Sequence, residues 1–243
     1  MAVKHWIRAL LRRYGFDVVA YNVAQNSDLQ TAKVLENFGT NLVFDVGANV
    51  GQFAKGLISA GYSGRVISFE PQSVEYDELA ANAARFEQWT CHSRCAVGAQ
   101  SGQAELNIAG NSLSSSVLPM LPSHVQGAPE SAYVDTQSVS VVALDEVYQS
   151  YVSGDSRIAL KIDTQGFEWE VLQGAESMLP RVDVVLCELS LTPLYDGQRL
   201  WRDLIDHMAE RGFELFVIQR GFTNPDTGKT LQVDAVFVRA SLV

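Results

Sequence analysis

Short apolar runs alternate with helical patterns along most of the chain. Residues 42–46, 65–69, 157–163 and 182–190 are short, rich in β-branched residues and bounded by polar residues or glycine, which predicts buried strands. The segments between them repeat apolar residues at helical spacing. Strands that are apolar throughout, alternating with helices, are typical of a mostly parallel sheet covered on both faces. The pattern therefore predicts an α/β fold.

Two parts of the chain depart from this alternation. Residues 213–219 and 234–240 predict two strands with no helix between them, and so an antiparallel pair at one sheet edge. A third strand is expected near residues 89–96, and another over 102–110. Residues 110–138 are rich in serine and proline, which predicts a lid, a binding loop or a disordered segment. We predict one domain over 41–243 after an N-terminal helical extension, residues 1–40.

The first 16 residues differ in charge from the rest of the chain, which has a net charge of −10. They contain no acidic residue, and the apolar side chains of a predicted helix share one side. One interpretation is contact with an anionic membrane surface or a lipid-linked substrate; the other is a helix packed on the domain with a solvated basic edge. The basic residues are Lys4, Arg8, Arg12 and Arg13, and the apolar ones are Trp6, Ile7, Leu10 and Leu11.

Composition excludes some classes of protein. A net charge of −10 disfavours a nucleic-acid binder, whose surface would be basic. Three cysteines, Cys91, Cys95 and Cys187, do not make a disulfide framework or a convincing zinc site. No apolar run approaches the roughly 18–20 residues of a membrane span, and no export signal is recognisable. We expect a cytoplasmic protein.

The sequence "DVGANVG", at residues 45–51, follows the first predicted strand and opens a helix. Gly47 and Gly51 let the backbone turn tightly and approach a ligand, but their spacing matches neither a Walker loop nor the dinucleotide fingerprint. Glu70 ends the second strand, where a carboxylate can accept hydrogen bonds from both ribose hydroxyls. Together, the glycine turn and Glu70 favour a nucleoside cofactor without phosphates, such as S-adenosylmethionine (SAM). The alternatives are a structural strand-to-helix turn and a solvated acid.

Six motifs occur in the order and spacing of the FkbM-like family of SAM-dependent methyltransferases, which the chain resembles from about residue 41 to 218. They are "FDVGANVGQF", "SFEP", "CAVG", "NSLSSSVLP", "VALDE" and "LKIDTQGFEWEVLQGA". The resemblance implies a Rossmann-like class I methyltransferase fold, with a seven-stranded, mostly parallel sheet in the order 3-2-1-4-5-7-6 and helices on both faces. It also implies O-methylation of a hydroxyl.

The resemblance also implies roles for individual residues. Glu70 would hold the ribose, Pro71 would turn the chain away, and Asp163 would lie nearest the transferred methyl group. Asp45 is expected either at the cofactor or as a brace of the loop. The residues expected at the methionine end of SAM are Asp45, Gly47, Ala48, Asn49 and Gly51, with Gln52 and Phe53 opening the helix beneath it and Arg94, Cys95 and Ala96 flanking the adenine.

An alcohol must lose its proton as it is methylated, which requires a base or a metal ion. Asp163 is the first candidate base, and its alternative role is a cofactor or substrate contact. His124, in the long loop, is a second candidate base, or else a surface residue. Glu188 ends the fifth strand. In metal-dependent catechol-type methyltransferases, acids at the tips of the fourth and fifth strands hold Mg²⁺, and Asp163 and Glu188 occupy matching places, although no third ligand is evident.

The acceptor is expected to be a sugar hydroxyl of a glycolipid or polysaccharide. The partner would then be a small-molecule or lipid-linked glycan. The serine-rich loop (Ser112, Ser114, Ser115 and Ser116) and the basic N-terminus favour it, and Phe16, Trp89 or Tyr133 could stack on a sugar. The alternatives are a polyketide-type metabolite as acceptor, an NAD-dependent oxidoreductase on the same fold, and a non-catalytic binding protein. A nucleic-acid methyltransferase is disfavoured because the chain lacks a basic face and a base-flipping motif.

Overall fold

A computed structural model describes residues 2–243, and it describes side chains from residue 6 onward. The predicted basic contribution of Lys4 therefore lies outside the described side chains. None of the described helices is long and apolar enough to cross a membrane.

The central sheet has the strand order predicted from the family resemblance. Its order is β3-β2-β1-β7-β8-β10-β9, and counting only the strands of this sheet gives 3-2-1-4-5-7-6. Strand β10 runs antiparallel to both of its neighbours, and all the other pairs are parallel. The strands are β1 (Leu42–Val46), β2 (Arg65–Phe69), β3 (Trp89–Cys91), β7 (Ile158–Ile162), β8 (Val182–Ser190), β9 (Phe213–Arg220) and β10 (Gln232–Arg239).

Helices cover both faces of the sheet at its centre, which explains why every residue of β1 and β7 is buried. Neighbours in one strand, such as Val43 and Phe44, belong to different core clusters on opposite faces. The second helix contributes Val34 and Leu35 to the cluster that contains Val43, so it packs with the domain that follows it. The helices are α1 (Ala2–Arg12), α2 (Ser27–Asn37), α3 (Gln52–Ser59), α4 (Ser73–Ala83), α5 (Pro122–Gly127), α6 (Leu144–Val147), α7 (Glu168–Gln173) and α8 (Trp201–Glu210).

A second sheet was not predicted. It consists of β4 (Ala96–Val97), β5 (Gly102–Ala109) and β6 (Tyr133–Val142) in the order β4-β6-β5. The single strand expected near residues 89–96 is in fact two short strands, and the chain leaves the main sheet after Cys91. The long loop of 110–138 is also partly regular, because it contains α5 and the beginning of β6.

The two glycines of "DVGANVG" are required by close packing. Gly47 has φ +74°, and a Cβ there would lie 1.8 Å from the carbonyl oxygen of Asp163. Gly51 has φ +85°, and a Cβ there would lie 2.3 Å from the ring of Trp89. The turn after β1 is held by N–H groups of Gly47 and Ala48, which donate to the carbonyl oxygen of Phe69 at 3.1 and 3.0 Å. The glycine spacing thus lets β1, β2 and β7 meet closely at their carboxyl ends.

Gly47→Ala should destabilise the protein far more than Gly39→Ala, its matched control. Gly39 also has a positive φ, +66°, but a Cβ there meets nothing within 4 Å. Backbone strain alone should lower the free energy of unfolding by about 1–2 kcal/mol in Gly39→Ala. In Gly47→Ala the clash with a backbone oxygen adds to it, for a loss of about 4 kcal/mol or more. Denaturant unfolding measures both; equal losses would show that the predicted close approach is absent.

Candidate active site

A first cavity lies at the carboxyl ends of β1 and β2. Its walls come from the turn after β1, the residues that follow β2, the approach to β4, and the segment 112–117. This is where parallel α/β sheets bind ligands. Of the residues predicted to bind a cofactor, those that line this cavity are Gly47, Asn49, Glu70, Pro71, Cys95, Ala96 and Asp163.

Glu70 is the buried charged group of the first cavity, with only 2% of its surface exposed. Its Oε2 accepts the backbone N–H of Asn49 at 2.7 Å, and its Oε1 accepts the backbone N–H of Gln72 at 2.8 Å. Burial raises the pKa of Glu70 to about 7 although these hydrogen bonds oppose the rise. Gln72 Nε2 also donates to Oε1, at 3.3 Å. A carboxylate has about four acceptor positions, so Glu70 retains about one for a ligand's hydroxyl.

The serine-rich segment closes over the first cavity. Gln72 connects the two, because its Nε2 donates to the Ser112 carbonyl at 3.0 Å and its Oε1 accepts the Ser115 hydroxyl at 2.7 Å. Ser116 donates to the carbonyl of Gln165 at 2.7 Å on the opposite wall. The enclosed volume is only ≈ 80 Å³, whereas ligand pockets usually measure about 300–1,000 Å³. The segment must therefore move outward to admit a nucleoside.

A second cavity, of ≈ 350 Å³, lies on the side of the sheet covered by α2 and α3. It shares Gly47, Asn49, Leu113 and Asp163 with the first cavity, so these residues form the boundary between the two. Its other walls carry carboxylates and amides from five elements, α2, α3, β8, β9 and β10. They are Asp28, Gln52, Glu188, Gln219 and Asp234.

Lys161 binds the glycine turn to Asp163 beneath this boundary. Its Nζ donates to the carbonyl of Gly47 at 2.9 Å and lies 3.2 Å from Asp45 Oδ1 and 3.6 Å from Asp163 Oδ2. Burial lowers the pKa of Lys161, but the surrounding carboxylates outweigh it and hold the pKa above its ordinary value. Lys161 is therefore a buried cation.

The predicted cofactor contacts that do not line the first cavity are a buried acid, two residues at the edge of the site, and three residues of the second cavity. Asp45 is fully buried, accepts the Ser68 hydroxyl at 2.9 Å, and lines neither cavity, which supports its role as a brace of the loop. Gly51 packs on Trp89, and Arg94 donates to the Pro71 carbonyl at 3.3 Å from the exterior. The residues that line the second cavity and not the first are Ala48, Gln52 and Phe53.

Asp163 and Glu188 lie near each other, as predicted, but they do not fit Mg²⁺. The Nε2 of Gln165 lies between them and donates to Asp163 Oδ1 at 2.9 Å and to Glu188 Oε2 at 3.0 Å. Gln232 Nε2 also donates to Glu188 Oε2, at 2.6 Å. An amide N–H group thus lies between the two carboxylates, where a cation shared by both would have to bind. Among the described residues no three His, Cys, Asp or Glu side chains form a group suited to a metal ion.

His124 does not reach either cavity, so its predicted role as a base needs correction. It is 2% exposed and packs against the rings of Tyr195 and Phe222 at 5.1 and 5.6 Å. Its Nδ1 has no hydrogen-bond partner in the described part of the chain. Burial lowers the pKa of His124 to about 4, which makes it a neutral core residue. Tyr195 separates it from Gln165, to which the Tyr195 hydroxyl donates at 3.0 Å.

The candidate stacking residues also lie away from the cavities. Trp89 is buried, and its indole N–H donates to Ser68 Oγ at 2.9 Å. Tyr133 donates its hydroxyl to the Leu118 carbonyl at 2.7 Å. Phe16 is 67% exposed on the N-terminal segment. None of the three lines either cavity, so the structure gives none of them a place beside a sugar.

Asp234 is a site residue that the sequence analysis missed. It lies on β10 opposite Glu188 in the strand register and lines the second cavity. No described side chain makes a hydrogen bond or ion pair with its carboxylate. Burial, aided by Asp163, raises the pKa of Asp234 to about 6. Lys161, also missed, had a signal in the sequence, because a lysine interrupts the otherwise apolar run "RIALKI".

Glu188→Gln should stabilise the protein increasingly as the pH rises. Burial and neighbouring carboxylates hold the pKa of Glu188 well above its usual value. The protonated form is therefore favoured by folding, and its contribution is lost as the pH rises from the unfolded-state pKa toward the folded one. In the variant this pH-dependent cost is absent, so its advantage should grow by up to about 1.4 kcal/mol per pH unit above about pH 4.5.

Denaturant unfolding of both proteins at several pH values between 5 and 8 measures the effect. Glu105→Gln, on exposed residue 105 of β5, is the control and should show no trend. A constant difference between Glu188→Gln and the native protein would mean that Glu188 is ionised throughout this pH range.

The sequence profile of the methyltransferase FkbM domain matches residues 45–215 of the chain. No curated protein is significantly similar to it in sequence. Solved structures that resemble it include a proposed RNA methyltransferase from Pyrococcus horikoshii (15% identity, 88% of this chain and 84% of that one, TM-score 0.47). Another is the magnesium protoporphyrin IX methyltransferase of Synechocystis with bound SAM (13% identity, 97% of this chain and 96% of that one, TM-score 0.45). At such identities they say nothing about the acceptor. The domain match covers most of the chain, which therefore belongs to the FkbM family of SAM-dependent methyltransferases.

Proposed function

We propose that the protein is an O-methyltransferase that uses SAM and acts on a sugar hydroxyl of a glycolipid or polysaccharide. The observation that carries the proposal is the pair of adjoining cavities with Asp163 on their shared wall. A cofactor in one cavity and an acceptor in the other would meet at Asp163. SAM supplies an activated methyl group, so the protein chiefly aligns the acceptor and excludes water.

The first cavity fits a nucleoside cofactor. Glu70 retains an acceptor position for a ribose hydroxyl, and the buried, hydrogen-bonded position of its carboxylate fixes its direction. Cys95 and Ala96 offer a flat, small-residue wall suited to an adenine ring, and the turn at Gly47 and Asn49 would hold the methionine end. The covering segment 112–117 would exclude water once it has closed.

Proton removal from the acceptor falls to the carboxylates at the boundary. We assign it to Asp163, which alone among the acids borders both cavities. Lys161 Nζ lies 3.6 Å from Asp163 Oδ2 and keeps this carboxylate oriented. The hydroxyl proton would pass to Asp163 as the oxygen forms its new bond. Asp234, with its raised pKa, would hold another acceptor hydroxyl and fix the sugar's orientation.

The walls of the second cavity favour a sugar over a polyketide-type acceptor. Hydrogen-bonding side chains reach it from β8, β9, β10 and α2, among them Gln219, Asp234 and Asp28. Convergent acceptors and amides suit several hydroxyls at once, whereas a largely hydrocarbon acceptor would leave them unpaired. Because most of these groups are carboxylates, the reacting sugar should carry no phosphate or carboxylate of its own.

Cofactor binding tests the first cavity. The native protein should bind S-adenosylhomocysteine, the demethylated product, in calorimetric titration and should not bind NAD. Glu70→Gln should weaken the affinity by roughly tenfold or more, because the charged acceptor for ribose hydroxyls is lost. Glu105→Gln is the control. Unchanged affinity in Glu70→Gln would place the nucleoside elsewhere, and binding of NAD alone would refute the proposed function.

Methyl transfer from labelled SAM to methyl glycosides, oligosaccharides and glycolipids tests the acceptor. Asp163→Asn should lower kcat by about a hundredfold or more, since a positioned base is worth that much. Asp234→Asn should mainly raise KM. The native rate at low acceptor concentration should increase with pH through about 6, the pKa of Asp234, because the charged form binds the acceptor. Asp234→Asn should lose that step. A pH profile shared by both proteins would remove Asp234 from acceptor binding.

A further inference from the structure

The N-terminal segment of residues 6–23 exposes large apolar side chains to an unusual extent. Nine of the seventeen large apolar side chains exposed in the described part of the chain belong to it. Trp6 is 67% exposed, Tyr14 73% and Tyr21 69%. The second interpretation from sequence, a helix packed on the domain, predicts that these side chains are covered. They are not.

The apolar residues of α1 form one face of the helix. Trp6, Ile7 and Leu10 share one side of α1, Tyr14 continues their spacing in the turn after the helix, and each is exposed. Contiguous exposed apolar surface of this kind marks an interaction site with a protein or a membrane.

Charge identifies the partner. Arg8 and Arg12 lie on the opposite side of α1 and Arg13 directly follows the helix, whereas Asp17 is the one acidic residue of the segment and the chain as a whole has a net charge of −10. Arg8 and Arg12 bind Asp17 at 2.6 and 3.0 Å, which ties the end of the helix to the chain that follows it. A basic, amphipathic helix on an otherwise acidic protein suits an anionic surface, and it disfavours a second copy of the same acidic chain.

We propose that residues 6–23 form a docking surface for an anionic lipid membrane. The apolar stripe of α1 would enter the boundary between headgroups and acyl chains, with its arginines among the anionic headgroups. Apolar burial and charge attraction would act together, as a stable peripheral anchor requires. The acidic domain would stay away from the membrane. This inference stands independently of the proposed acceptor, although a lipid-linked acceptor would be reached from such a position.

Vesicle sedimentation with the full chain tests the docking surface. The protein should bind vesicles of phosphatidylcholine mixed with phosphatidylglycerol, bind pure phosphatidylcholine vesicles much less, and lose affinity as the salt concentration rises. Arg13→Glu should weaken binding by about 25-fold, because each unit of charge changes it by roughly fivefold. Leu10→Glu should reduce binding by at least about tenfold, since a charge enters the apolar face.

Matched controls separate the segment from the rest of the surface. Val134→Glu places a charge on another exposed apolar residue, and Arg85→Glu reverses an exposed arginine of the domain. Both should bind vesicles as the native protein does. The tryptophan fluorescence of the native protein should shift to the blue on vesicle binding, and Trp6→Phe should lose that shift.

Three outcomes would overturn the proposal. One is a native protein that stays in the supernatant with both kinds of vesicle. Another is an equal loss of binding in Leu10→Glu and Val134→Glu. The third is a concentration-dependent dimer in analytical ultracentrifugation that Leu10→Glu abolishes, with no vesicle binding, which would make the stripe an interface between copies. Titration with S-adenosylhomocysteine on the same samples confirms folding and tests the cofactor site separately, so the two proposals can fail independently.

Discussion

The site depends on the contacts of the buried ammonium group of Lys161. This group joins the carbonyl of Gly47, the brace Asp45 and the boundary residue Asp163, which come from the ends of two neighbouring strands. A buried carboxylate or ammonium without a partner is costly, so these groups hold one another in place. The close approach of Gly47 to the Asp163 backbone allows this arrangement, since any Cβ would separate the two strand ends.

The acids around Lys161 have different roles because their surroundings differ. Asp163 has an adjacent cation, Glu188 accepts two amide N–H groups, and Asp234 faces a cavity with no partner among the described side chains. Asp163 is therefore oriented by the cation, Glu188 is held by amides and has a raised pKa, and Asp234 keeps its acceptor capacity. These different surroundings explain why the acids lie close together without forming a group suited to a metal ion among the described residues.

The sheet edge with the cavities and the N-terminal segment differ in charge and in exposed apolar surface. The sheet edge that holds the two cavities is acidic and enclosed, whereas the N-terminal segment is basic and exposes its apolar face. Segment 112–117 lies over the cavities. Its serines make hydrogen bonds to Gln72 and to Gln165 on the opposite wall, and Leu113 borders both cavities. The first cavity is thus covered by polar contacts that can exchange with water.

By itself, the sequence determined the alternation of strands and helices, the antiparallel edge, the glycine turn and the position of Glu70, because periodicity and turn chemistry are local properties. Its family resemblance also anticipated the strand order of the main sheet. Only the tertiary structure decided that His124 is a core residue, that Gln165 lies between Asp163 and Glu188, and that Asp234 and Lys161 belong to the site. Burial and hydrogen-bond partners depend on strands far apart in the chain, and no local pattern records which side chains meet across them.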